Sequence, residues 1–181
     1  MIIGILFVIG GHGTLTDFFD TEVSIGNAFE TGIWRDGSIK VDIIPGTCPN
    51  PIDVKTDRDL PVAILGTQDF PVDDLDPTSV RIWRNVNGEY IGGNVLPIVL
   101  PSADTATPFY PTPGGDCCHD LAGDGIVDLN VEFEKLALVG DLELEGIPHG
   151  TTIYLRVTVL VLDDEGNRLE GGDCVVILNE P

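Results

Sequence analysis

Residues 151–178 read TTIYLRVTVLVLDDEGNRLEGGDCVVIL, two β-type runs around an acidic turn. Its first twelve residues hold Thr, Ile, Tyr, Leu and Val, the side chains that fit a pleated sheet, with no helical spacing of the apolar positions. The acidic, Gly-containing segment DDEGN at 163–167 reads as a hairpin turn, and CVVIL at 174–178 as the returning strand.

The same pattern extends outward. In VDLNVEFEKLALV (127–139), Leu129, Val131 and Phe133 alternate with Asn130, Glu132 and Glu134. In IKVDIIPG (39–46), Val41 and Ile43 share a face. SVRIW (79–83) places Val80 and Ile82 together, and LPVAILGT (60–67) is a short apolar run closed by Pro and Gly. No segment shows sustained helical periodicity; DDLDP (73–77) and LDDEG (162–166) each suit one turn of helix. Turn residues recur throughout, with 22 Gly and 13 Pro. The expected fold is an all-β, jelly-roll-like sandwich. Residues 92–118 are the least regular part, rich in Pro, Thr and Ser, and carry one candidate edge strand, NVLPIVL (94–100).

Composition limits the function. The chain has 181 residues and a net charge of −21, from 30 acidic against 9 basic side chains. Such a surface repels phosphate backbones and anionic lipids, which excludes nucleic acid and acidic membranes as natural partners. It suits a soluble coat or one that collects cations. The three histidines, His12, His119 and His149, are scattered, and no GxSxG, HExxH or P-loop is present, so catalysis is not expected. A secreted hydrolase using a loop carboxylate pair is the weakest of the functional readings.

Four cysteines, Cys48, Cys117, Cys118 and Cys174, include no CxxC pair. An even count in an acidic, loop-rich chain fits an oxidising, extracellular setting. A bond between adjacent Cys117 and Cys118 is strained, so two long bridges are expected, each joining one of that pair to Cys48 or Cys174. Four free thiols are the alternative.

DLAGDGIVD (120–128) has the head of a calcium loop: Asp120, Asp124 and Asp128 at positions 1, 5 and 9, with Gly125 at 6. Three carboxylates and the Ile126 carbonyl could gather on a hard cation, which makes Ca2+ the expected cofactor. Ala122 stands at position 3, and Val131 stands where an EF-hand has its bidentate Glu. The flanks read as strand. An ordinary acidic turn between strands is the competing interpretation.

MIIGILFVIG (1–10) is apolar but ends too soon to span a membrane as a helix, which takes roughly 20 residues. Its length matches a signal-peptide core, but no Lys or Arg precedes it. As a strand, Ile3, Ile5, Phe7 and Ile9 face one way and Ile2, Leu6 and Val8 the other, the pattern of a strand buried on both sides. Such a strand can complete its own sheet or a neighbour's. Donation to a neighbour is head-to-tail and self-propagating, and burial of this segment is worth on the order of 10 kcal/mol before entropic costs. Residues 1–16 are therefore expected to form a donor extension and 17–181 the sandwich domain. Whether a longer precursor is cut upstream of Met1 stays open.

Two resemblances bear on this. Gly10–Gly11, Phe19, Asp20, Thr21, Glu22, Gly26, Asn27, Phe29 and Gly32 resemble the start of the SipW-dependent secreted fibre proteins of the TasA and camelysin class. That resemblance implies secretion, a jelly-roll sandwich and a homopolymeric extracellular fibre (a pilus or biofilm matrix) built by donor-strand complementation. Residues 41–83 and 115–178 resemble a β-module of secreted prokaryotic proteins, with PVAILGT at 61–67 and an Asp-rich loop at 120–128. That likeness implies secretion and supports the calcium reading of Asp120, Asp124 and Asp128; Ala122 departs from its usual Asn. A filament subunit is the leading expectation. The alternative is a monomeric secreted or cell-surface module that binds calcium or carbohydrate.

Overall fold

The structure is a computed structural model that describes residues 38–109, 118–162 and 166–180. Two β-sheets pack face to face. One has four strands in the order β1-β3-β7-β6: β1 (Lys40–Ile43), β3 (Leu60–Leu65), β7 (Leu129–Phe133) and β6 (Ile98–Val99). The other has five in the order β2-β9-β8-β4-β5: β2 (Asn50–Asp53), β9 (Arg168–Leu178), β8 (Thr152–Val161), β4 (Leu75–Val86) and β5 (Glu89–Gly92). All neighbours are antiparallel except β2 and β9. The all-β sandwich expected from the sequence is present.

The β8–β9 hairpin forms the centre of the larger sheet, running in register from Leu160↔Arg168 to Thr152↔Val176. Its alternation sends Leu155, Val157 and Val159 into the core with Val175 and Ile177. From the smaller sheet come Ile43, Ile64, Val131 and Phe133, and from β4 come Val80 and Ile82. Each such side chain contributes roughly 1.5–3 kcal/mol of transfer free energy, so this interleaved layer dominates the stability. The candidate edge strand in 94–100 appears as β6, two residues long and at the edge of its sheet.

Two features depart from the sequence reading. The alternation of 127–139 stops at Phe133, and Lys135–Asp141 is an α-helix, α1. The Glu134 side chain caps it by accepting the Ala137 N–H, and Leu138 and Val139 turn into the core. Asp42, between core residues Val41 and Ile43, is also fully buried, where period-two alternation would send it to solvent.

Strand β1 stitches the two sheets together. Ile39 donates its N–H to the Glu170 carbonyl of β9, and the Ile43 N–H reaches the Asp173 carboxylate. Gly171 makes this approach possible, because a Cβ there would strike the Ile39 carbonyl. The Cys48–Cys118 disulfide pins the chain before β2 to the segment leading to β7. Cys174 is also disulfide-bonded. One long bridge of the expected kind is thus in place. The extension at 1–16, with its donor residues Ile3, Ile5, Phe7 and Ile9, lies outside the described residues. Among the described residues, no helix is long and apolar enough to cross a membrane.

Candidate functional site

The 120–128 loop enters β7, and Asp128 is its anchor. Asp128 is fully buried. Its Oδ1 accepts the Gly66 N–H at 2.9 Å, and its Oδ2 accepts the N–H groups of Thr105 and Ala106 at 2.8 and 3.1 Å. Burial pushes its carboxyl upward, and the three backbone donors pull it back. This carboxylate serves as an internal brace between the end of β3, the 103–106 segment and β7.

Asp124 also serves the chain: its Oδ1 accepts the Ile126 N–H at 3.0 Å, an Asx turn. A residue the sequence did not point to completes the loop. Asp104 accepts the Asp124 N–H through Oδ1 at 2.9 Å and the Gly125 N–H through Oδ2 at 2.8 Å. Thr107 Oγ1 donates to the Ala122 carbonyl at 2.6 Å, so the 104–107 segment holds the loop at two points. Asp120 is exposed. Asp120, Asp124 and Asp128 therefore lie on one loop, but the carboxylates of Asp124 and Asp128 are already engaged by backbone donors. The described residues hold no group of three or more His, Cys, Asp or Glu side chains set to bind a metal ion.

A second cluster lies inside the sandwich. Asp173 accepts from Ile43 N–H and Asn50 Nδ2 through Oδ2, at 2.9 and 2.7 Å, and from its neighbour Cys174 N–H through Oδ1 at 2.7 Å. Burial still pushes it up to about 6. Asp42 has no such support: neither of its oxygens has a hydrogen-bond partner. Burial first, then the nearby charges of Asp173 and Asp128, push it up to about 7. His119 faces it, with Nε2 3.7 Å from Asp42 Oδ2.

His119 Nδ1 accepts the Leu121 N–H at 3.2 Å, which leaves the proton of a neutral ring on Nε2, facing Asp42. A metal would need that nitrogen bare, with the other one donating outward. The ring is therefore arranged as a donor toward a carboxyl group. Burial lowers its affinity for a second proton. Asp42 has no exposed surface and so cannot reach a substrate.

On the outer face of the five-stranded sheet, bounded on one side by the 38–41 segment that leads into β1, a cavity of about 430 Å3 is lined by Lys40, Tyr90, Phe109, Tyr154, Arg156 and Glu170, among others. Tyr90 and Tyr154 are about half exposed there. Period-two alternation of β8 predicts that Tyr154 and Arg156 face away from Leu155, but β5 is too short to announce Tyr90. Compared with known protein families, curated proteins and solved structures, the chain matches none.

Proposed function

We propose that the protein is the structural subunit of an extracellular filament, a jelly-roll-like sandwich assembled when residues 2–9 of one copy add a strand to the sheet of the next. One observation supports the reading: among the described residues, the larger sheet ends at β5, whose far side pairs with no strand.

The other three edges are poor acceptors. β1 is tied to β9 by the Ile43 N–H, which reaches the Asp173 carboxylate, and by the Ile39 N–H just before the strand, which reaches the Glu170 carbonyl. β2 carries Pro51, and β6 is flanked by Pro97 and Pro101; a proline offers no N–H to an incoming strand. β5, with the sequence EYIG, has no such block. Its register places Ile91 opposite Arg84 and Gly93 N–H on the Ile82 carbonyl, so the N–H groups of Tyr90 and Gly92 point to the open side. The disulfides and the acidic surface favour an extracellular setting.

Deleting residues 1–10 and imaging both proteins by negative-stain electron microscopy tests the proposal. Fibres are expected from the full chain and only monomers from the deletion. Fibres from the deletion, or none from the full chain, overturn it.

A further inference from the structure

We propose that the cavity on the outer face of the five-stranded sheet binds a neutral saccharide; this does not rest on the filament reading. Tyr154 on β8 provides a platform. Its phenol lies across β9 above Gly172, where an added Cβ would meet Tyr154 Oη at 2.7 Å and Cζ at 2.8 Å. The glycine lets the ring lie along the sheet, and about half of the residue is open to solvent.

Beside the platform stands a fixed donor. The Arg156 guanidinium sits 4.5 Å from the centre of the Tyr90 ring and is paired with Glu170 across the β8–β9 ladder. Held from two sides, it loses little freedom when a ligand arrives. Aromatic surface beside a rigid polar rim matches a sugar ring, which has an apolar C–H face and an edge of hydroxyl groups.

Charge narrows the class. Lys40 and Arg156 are balanced by Glu170 and Asp173 around the cavity, on a chain whose net charge is −21. An anionic ligand would find no surplus of positive charge here, and a cationic one no surplus of negative charge. The Asp173 oxygens are occupied by Ile43, Asn50 and Cys174, so recognition falls to the other polar groups of the lining, Arg156 and Glu170 beside the rings and Ser38 and Lys40 at the far wall. A volume of about 430 Å3 is within the usual range for small-ligand sites.

Affinity gel electrophoresis of the full chain tests this, with soluble xylan, glucomannan or hydroxyethylcellulose in the gel and alginate as an anionic comparison. Retardation by at least one neutral polymer is expected. Tyr154→Ala should weaken it about tenfold or more, roughly the contribution of one stacked ring, with Tm unchanged, and Tyr154→Phe should largely retain it. No retardation by any neutral polymer, retardation by alginate alone, or equal retardation of Tyr154→Ala each overturns the proposal.

Discussion

Asp42 Oδ2 and His119 Nε2 face each other at 3.7 Å inside the sandwich, and neither atom has a hydrogen-bond partner. Folding carries the Asp42 carboxyl from an ordinary 3.8 up to about 7, so the folded chain holds this proton more tightly than the unfolded chain does. Its stabilising contribution is complete below pH 3.8 and is lost as pH rises toward 7. Asp173 acts in the same direction up to about 6. His119 acts oppositely: its lowered folded value costs stability as pH falls through 6.5, when the unfolded ring takes up a proton. Asp42→Asn isolates one term, because it leaves a neutral side chain of the same shape. It should raise Tm at pH 8 by on the order of 5–10 °C, with the gain shrinking toward zero by about pH 4. A difference from wild type that does not change with pH would show that the Asp42 proton is not the cause.

How much of this was legible in the sequence depends on the range of each interaction. The β8–β9 hairpin could be read because both arms are long and the turn is local. The β4–β5 hairpin left only the Asn87–Gly88 pair, both at positive φ as its two-residue turn requires, followed by a strand of four residues that is too short to show alternation. Helix α1 has seven residues, fewer than a 3.6-residue period needs to stand out from the strand before it. Asp42 reads as a surface residue because what buries it is distant in the chain: Asp173 lies on the last strand, and His119 is held next to the Cys48–Cys118 bridge. The Asp120–Asp128 motif was visible, but the Asp104 carboxylate that holds the loop from twenty residues away was not.

Asp128 braces three backbone N–H groups, and removing it should be costly. Asp128→Ala leaves the Gly66, Thr105 and Ala106 N–H groups without their acceptor. At about 1–3 kcal/mol for each buried donor left unpaired, the loss should exceed about 3 kcal/mol in urea unfolding. Asp128→Asn keeps one oxygen acceptor and should fall between. A loss below about 1 kcal/mol for the alanine variant would mean that the brace is dispensable.

Calcium, if it acts on this loop, must act through the groups that Asp128 leaves over. We propose Asp120, Asp124 and the Ile126 carbonyl as its contacts, and the effect should be small because the Asp124 carboxylate already closes its own turn. Wild-type Tm should rise by a few degrees, on the order of 1 kcal/mol, between chelator and millimolar calcium, and Asp124→Asn should abolish the rise. No rise in the wild type would remove calcium from the account.

The Cys48–Cys118 bridge closes a loop with a sequence separation of 70. Chain-entropy arguments give such a loop about 4 kcal/mol. The double variant Cys48→Ala, Cys118→Ala should lose about that much stability in urea unfolding, with the slope of the transition slightly raised because its unfolded chain is more open. Non-reducing peptide mapping of the wild type should recover Cys48 linked to Cys118. A linkage of Cys48 to any other cysteine would contradict the bridge, whatever the stability of the variant.

The open edge at β5 can be tested without touching the donor segment. Tyr90 stands opposite Asn85 in a pair that exchanges no ladder bonds, so its N–H points away from β4. Tyr90→Pro removes that outward donor and leaves the β4–β5 hydrogen bonds in place, so the subunit should still fold, with Tm lowered by no more than a few degrees. If strand donation onto β5 builds the filament, this variant should stay monomeric in light scattering, and it should cap growing fibres when mixed with wild type, because its own residues 2–9 can still be donated. Arg84→Pro, on the paired side, should instead unfold the hairpin. Fibres from Tyr90→Pro as long as those of the wild type would place the acceptor elsewhere on the sandwich.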